Sequence, residues 1–363
     1  MSKFHTVVIV DNTDPDNLAC ALAAARPESL QKLLAVIVTG RAANFNREAA
    51  IDDMNSEDSQ FTLRLNATRM KNFLTFAGFP NIPVFVGSVP PSTIVPHRVH
   101  IDEKVFCDTI EEQRTLIHQQ TGNIHKLAIS GNIDTAGGYL TALNQQFDVI
   151  VGGPMTDLAE LVSHYPHLRV NSIHAQFGMF GFGEKKLMEF GETPRGKRQF
   201  NVACDPVAAK FILEYMPCPI YLYPSDVTRV DSIGFENPEH LRRHLHDTHT
   251  ARELVRIYQI AYDLMMKPRN EKIYIHDLAP LLGYLDLSLY AQNEVEDRGA
   301  RIGKPAYLFK PAEINHVPFT KEEKSRWGEI DVVLGTTKQD RPRYIATEVD
   351  TDWYLKETKR LLC

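Results

Sequence analysis

Residues 7–17 decide the fold: Val7-Val8-Ile9-Val10-Asp11-Asn12-Thr13-Asp14-Pro15-Asp16-Asn17. The apolar run reads as a buried strand, and it ends abruptly in three carboxylates within six residues. An alanine-rich helical stretch, Leu18 to Arg26, follows at once. A buried strand that delivers polar groups to the mouth of a sheet marks the place where open α/β folds take their ligands. Asp16 and Asn17 are also good helix caps. Capping needs one acid, whereas three packed together repel unless a cation or protons neutralise them. Carboxylate oxygens in this number suit a hard cation.

Outward from that segment the pattern alternates strand and helix. Strands are expected at Thr6–Val10, Leu33–Thr39, Pro83–Val86, Lys126–Ser130, Asp148–Gly152, Asn171–His174 and Pro219–Leu222. Helices are expected at Leu63–Ala77, Phe106–Gln120, Thr156–Ser163 and Pro206–Tyr215. This alternation implies an α/β fold with an open, mostly parallel, doubly wound sheet, its strand C-termini on one rim. From His240 to Met266 the chain reads as helix, with Leu254, Ile257, Ile260, Ala261 and Leu264 at helical spacing. That segment, about 235–270, is expected to cap the rim. Two strands, Asp331–Leu334 and Tyr344–Glu348, and a helix from Asp352 to Leu362 return the chain to the sheet, so residues 1–363 read as a single domain.

The 363 residues carry 40 Lys and Arg against 46 Asp and Glu, a net charge of −6. That balance argues against a nucleic-acid partner. No apolar run is long enough to span a bilayer, and the opening residues do not read as a signal peptide. The five cysteines, Cys20, Cys107, Cys204, Cys218 and Cys363, show no CxxC spacing. A cytoplasmic location without zinc or a disulfide framework is therefore expected.

Four further segments carry chemistry. Gly152-Gly153-Pro154-Met155-Thr156-Asp157 follows a strand, and its glycines allow close backbone approach to a ligand. Phe200-Asn201-Val202-Ala203-Cys204-Asp205-Pro206 offers a helix cap in Asp205 and, in Asn201, a carboxamide read here at a strand end. Asp226-Val227-Thr228 supplies polar side chains to the same rim. His276-Asp277 stands at the start of an apolar helix. An Asp-x-Asp-x-Thr phosphatase turn is the alternative for the first segment, but Asn12-Thr13-Asp14 breaks that pattern.

Taken in order, these segments resemble the inosine–uridine-preferring nucleoside hydrolase family. The matching elements are the acidic first turn, Gly153-Pro154-Met155-Thr156-Asp157-Leu158-Ala159, Phe200-Asn201 with Asp205-Pro206, Asp226-Val227-Thr228, and His276-Asp277 with Asp286-Leu287-Ser288-Leu289. The resemblance implies one Ca²⁺ held by Asp11, Asp16, the Gly152 carbonyl and Asp277, together with a water and two ribose hydroxyls. It implies hydrolysis of the C–N glycosidic bond of a nucleoside, with a purine nucleoside expected. Asp11 would be the general base and His276 the acid that protonates the departing base. Asn201, Gln199, Phe200, Asp14 and Arg41 would line the substrate site. Members are commonly dimers or tetramers, so a homo-oligomer is expected.

The sequence departs from the family at several points. Pro15 and Ile9 stand where acids are usual, Gln199 replaces a ribose-binding acid, and Gly191 replaces an asparagine. Arg41 and the basic run Arg195, Lys197, Arg198 are additional. Guanidinium groups in place of carboxylates would suit a nucleotide. A protein that binds without catalysis is the other alternative.

Overall fold

The computed structural model describes residues 4–11, 15–29, 31–40, 57–88, 129–181, 198–291 and 305–363. In chain order these form β1 (Phe4–Asp11), α1 (Pro15–Ala25), β2 (Gln31–Thr39), α2 (Glu57–Phe76), β3 (Val84–Val86) and β4 (Gly131–Asn132). Next come α3 (Ile133–Leu143), β5 (Gln146–Val151), α4 (Thr156–His164), β6 (Arg169–Ala175), α5 (Phe200–Cys204), α6 (Pro206–Tyr215) and β7 (Ile220–Leu222). The chain continues through α7 (Ser225–Thr228), α8 (Pro238–His244), α9 (His249–Ala261) and α10 (Leu278–Ala291). It ends with β8 (Tyr307–His316), β9 (Asp331–Leu334), β10 (Arg343–Val349) and α11 (Thr351–Leu362).

The strands lie in the order β4-β3-β2-β1-β5-β6-β7-β10-β8-β9. Neighbouring strands pair in parallel except at one edge, where β8 pairs antiparallel with both β10 and β9. From β1 the chain first builds outward through β2, β3 and β4, then returns to lay β5 on the other side of β1, with Ile9 opposite Val151. The connections leave β1 and β5 in opposite directions, so a crevice opens above the ends of these two strands. Asp11 and Gly152 stand at that opening.

Alternation along β1 explains why both sheet faces are covered. Val8 and Val10 point to one core with α1, α9, α10 and α11, while Val7 and Ile9 point to the other with α3, α4 and α6. The apolar stripe of α9 buries Leu254, Ile257 and Ala261, and the helix packs against α1.

Several expected elements differ in detail. The strand expected at Lys126–Ser130 and the helix at Phe106–Gln120 fall wholly or largely outside the described residues, and β4 is only Gly131–Asn132. The stretch from Ser130 to Gln146 holds β4 and α3, the helix capped where the Asn132 carboxamide accepts from the Thr135 N–H at 3.1 Å. Strand β8 was not anticipated, because Lys310-Pro311 and Asn315-His316 interrupt the apolar pattern that marks a strand. Asn201 lies within α5, not at a strand end. Among the described residues no helix is long and apolar enough to cross a membrane.

Asp157, in the first turn of α4, ties the ends of two strands together beneath the rim. Its Oδ1 accepts from the Ser88 N–H at 2.6 Å, and its Oδ2 accepts from the Thr39 hydroxyl. Ser88 in turn donates through its hydroxyl to Glu160 at 2.6 Å. Burial, with a smaller contribution from Glu160, raises the Asp157 carboxyl from 3.8 to about 7, against the pull of those hydrogen bonds. The folded protein therefore binds this proton more tightly than the unfolded chain does, and the stability it contributes is lost as pH rises from about 4 through 7. Asp157→Asn keeps an acceptor for Ser88 and offers a donor to Thr39. It should stabilise the protein by about 1 kcal/mol or more at pH 8, and the gain should vanish near pH 4, as read by urea unfolding at both pH values.

Candidate active site

Asp11 is 2% exposed and Asp277 4% exposed, and both press on the turn after β5. A Cβ added to Gly152 would lie 2.7 Å from Asp277 Cγ, and one added to Gly153 would lie 2.8 Å from the Asp11 backbone nitrogen. Two glycines are required because the two acids occupy the space that side chains would fill. The Gly152 N–H donates to the Ile9 carbonyl at 2.8 Å, which extends the β1–β5 pairing to the rim. Residues 266 positions apart in the chain, Asp11 and Asp277, thus meet over one turn.

Asn17, in the first turn of α1, donates through Nδ2 to Asp11 Oδ1 at 2.8 Å and also to the Asp11 carbonyl. Among the described residues its own Oδ1 is buried with no hydrogen-bond partner. An orphaned acceptor beside a buried carboxylate fits a site that takes a cation. Asp16 and Asp277 both act on Cys20 and on Tyr354. Burial first, and then these two acids, push the Cys20 thiol and the Tyr354 phenol upward. Among the described residues, however, Asp11, Asp16 and Asp277 do not close into a three-carboxylate group. Asp14 and Arg41 lie outside the described residues.

Beside the glycine turn, three carboxamides lock together. Asn201 Nδ2 lies 3.0 Å from the Gly152 carbonyl, 3.2 Å from the Gln176 carbonyl and 3.1 Å from Gln176 Oε1. Gln199 Nε2 donates to the same Gln176 Oε1 at 3.0 Å, and Gln199 Oε1 caps α5 by accepting from the Val202 N–H at 3.1 Å. Gln199 is therefore engaged as a helix cap, and Phe200 is buried in the first turn behind it. Asn201 has both amide hydrogens directed at protein acceptors, so it positions the Gly152 carbonyl. Gln176 was missed from the sequence. Its signal is a polar residue directly after the buried end of β6, on the same rim as Gly152.

Asp205 behaves as a cap, accepting from the Ala208 N–H at 2.9 Å and from the Thr156 hydroxyl at 2.8 Å. Asp226 Oδ2 accepts from the Phe180 N–H at 2.8 Å. Arg198, the described residue of the basic run, donates to the Trp327 carbonyl at 2.7 Å.

His276 stands next to Asp277. Its Nδ1 is 3.0 Å from the Thr228 hydroxyl, and its Nε2 receives the Arg229 Nε–H at 3.5 Å. Tyr274 stacks on the ring at 5.6 Å. The tautomer that satisfies both contacts carries its hydrogen on Nδ1, donated to Thr228.

A second Asp, Ser and His group occurs elsewhere but has the wrong order for nucleophilic catalysis. The Ser172 hydroxyl sits between Asp148, at 2.6 Å, and His174 Nε2, at 3.1 Å, with all three residues buried. Burial pushes the His174 imidazole down to about 3, so it is a neutral core residue.

The family model for inosine–uridine-preferring nucleoside hydrolases matches residues 58–356. The chain belongs to this family. It is accordingly a hydrolase acting on N-glycosyl compounds. Among solved structures it is similar to a plant nucleoside hydrolase, PpNRh1, with TM-score 0.64 and 15% identity over 99% of this chain and 98% of that one. It is also similar to a purine-preferring ribonucleoside hydrolase from Gardnerella vaginalis, with TM-score 0.62 and 17% identity over 99% and 98%. The inosine–uridine-preferring nucleoside hydrolase from Bacillus anthracis aligns with TM-score 0.57 and 13% identity over 99% of each chain. At these identities the structural likeness establishes the fold. No curated protein matches the sequence.

A methyl group at Gly152 must displace Asp277. Gly152→Ala should therefore lower release of free base from a cleaved nucleoside by about 100-fold, the scale expected when a reacting group is misplaced by an ångström. Chromatographic rate measurements, with circular dichroism to confirm folding, test this.

Proposed function

We propose that this nucleoside hydrolase cleaves the C–N glycosidic bond of a purine nucleoside and uses Ca²⁺ to do so. The observation that supports this reading best is the meeting of Asp11 and Asp277 over the Gly152–Gly153 turn. Carboxylates, a backbone carbonyl and a carboxamide oxygen would make an all-oxygen donor set suited to a hard cation. Asp11, Asp16, the Gly152 carbonyl and Asp277 would hold the ion, which when bound makes a neighbouring water more acidic and orients hydroxyl groups.

Asp11 would take a proton from the attacking water as its oxygen bonds to the anomeric carbon. The electron pair of the breaking C–N bond leaves with the base, through a ribosyl state with oxocarbenium character. Asn201 would hold the Gly152 carbonyl in place and offer its Oδ1 to a ribose hydroxyl. Asp14 and Arg41 remain proposed contacts of the sugar or its substituents. His276 would stand on the side from which the base departs.

A chromatographic screen for free base tests this reading, using purine and pyrimidine nucleosides and their 5′-phosphates with and without a calcium chelator. Inosine or another purine nucleoside should be cleaved, and the chelator should suppress the rate at least about tenfold, with calcium restoring it. Asp11→Asn should lose about 10²-fold or more, the order expected for a general base. A rate undiminished by chelator removes the metal from the mechanism. Preference for a 5′-phosphate would identify a nucleotide as the substrate.

A further inference from the structure

Arg229 closes α7, its N–H donating to the Ser225 carbonyl at 3.1 Å, and its side chain reaches His276 from a different element. It is half-buried, and among the described residues no carboxylate pairs with its guanidinium. Burial pushes the Tyr274 phenol up, and the charges of Asp231 and Arg229 both act on it as well, the acid pushing it up and the guanidinium pulling it down. Lys272 pairs with Glu236 at 2.8 Å, and Asp231 accepts from the Tyr274 hydroxyl at 3.4 Å. The Nε–H faces His276 Nε2, and Thr228 holds the opposite side of the same ring. Imidazole, Thr228 hydroxyl and stacked Tyr274 thus fix the near end of the guanidinium, and the two Nη groups form its remaining donor edge. His276 is followed directly by Asp277, whose carboxylate lies on the Gly152 turn. Arg229 is thus joined through His276 to the segment that carries Asp277 onto the Gly152 turn.

We propose that Arg229 stabilises the negative charge that develops on the departing base, with His276 and Thr228 positioning its guanidinium. This rests on the hydrolase reading above and adds a residue to it. As the C–N bond breaks, its electron pair moves onto the base nitrogen and spreads over the ring. A guanidinium is charged at every working pH and presents several N–H donors in a plane, so it can meet that charge without transferring a proton. The water oxygen bonds to the anomeric carbon and releases one proton to Asp11. The base anion then takes up a proton from solvent, so nucleoside and water yield ribose and neutral base.

The test compares leaving groups. Inosine has a poor leaving group, whereas 4-nitrophenyl β-D-ribofuranoside releases an anion that is stable without help. Arg229→Gln should lower kcat on inosine by about 100-fold, the scale for loss of one preorganised donor. The loss on the nitrophenyl riboside should be at least about tenfold smaller, since less charge needs stabilising there. Arg229→Lys should recover part of the inosine rate by restoring the charge without the planar fork. Where the glutamine variant does not fold, the lysine variant carries the same comparison, with a smaller loss again confined to inosine. Equal losses on both substrates, or no loss on inosine, overturn the inference and leave the hydrolase reading intact. Wild-type protein that cleaves neither substrate overturns both.

Discussion

Buried carboxylates cannot crowd together in a protein interior unless something opposes their mutual repulsion and their loss of water. Asp11 and Asp277 are brought to the same pair of glycines, with Asp16 acting on the same thiol and phenol as Asp277. Desolvation alone makes such a site costly for a chain to keep. Oxygen donors gathered at the mouth of a sheet become favourable when a cation joins them, and an orphaned acceptor on Asn17 points to the same need. The sheet order creates the opportunity, because β1 and β5 are neighbours whose connections depart in opposite directions.

Around this centre the polar side chains divide into those that support and those available for chemistry. Gln199, Gln176 and Asn201 satisfy one another and hold the Gly152 carbonyl, so they stiffen the floor of the crevice. Asp205 and Asp157 do the same for the helices and strand ends below, each with its carboxyl raised chiefly by burial. Arg229 differs from these in having a charged edge that the surrounding protein does not answer with a carboxylate among the described residues. On the proposal above, Arg229 would meet the negative charge of the departing base while the acids on the floor would face the sugar as it gains positive character.

Much of this was legible in the sequence because it depends on short-range pattern. The valine and isoleucine runs, the Asp205-Pro206 cap and the glycine pair each announce a local geometry that neighbouring residues enforce. The family model begins at residue 58, so the acidic turn at Asp11 lies outside the matched span. Carboxylates after a buried strand suggest a cation there, while the particular roles of Asp11 and Asp16 are what the resemblance to the family implies. Strand β8 escaped notice since it lies between two antiparallel neighbours next to the edge of the sheet, and its Lys310-Pro311 and Asn315-His316 break the apolar run that marks a buried parallel strand.

By itself, the sequence determined an open α/β sheet with acids and glycines at one rim, because alternating apolar segments have few ways to bury both faces of a parallel sheet. Only the tertiary structure decided which polar side chains meet. The partnership of Arg229 with His276, the bond of Gln199 to Gln176 and the clasp of Asp157 on Thr39 and Ser88 join residues far apart in the chain. Such contacts depend on where each backbone aims its side chain in three dimensions, and no local spacing encodes that direction.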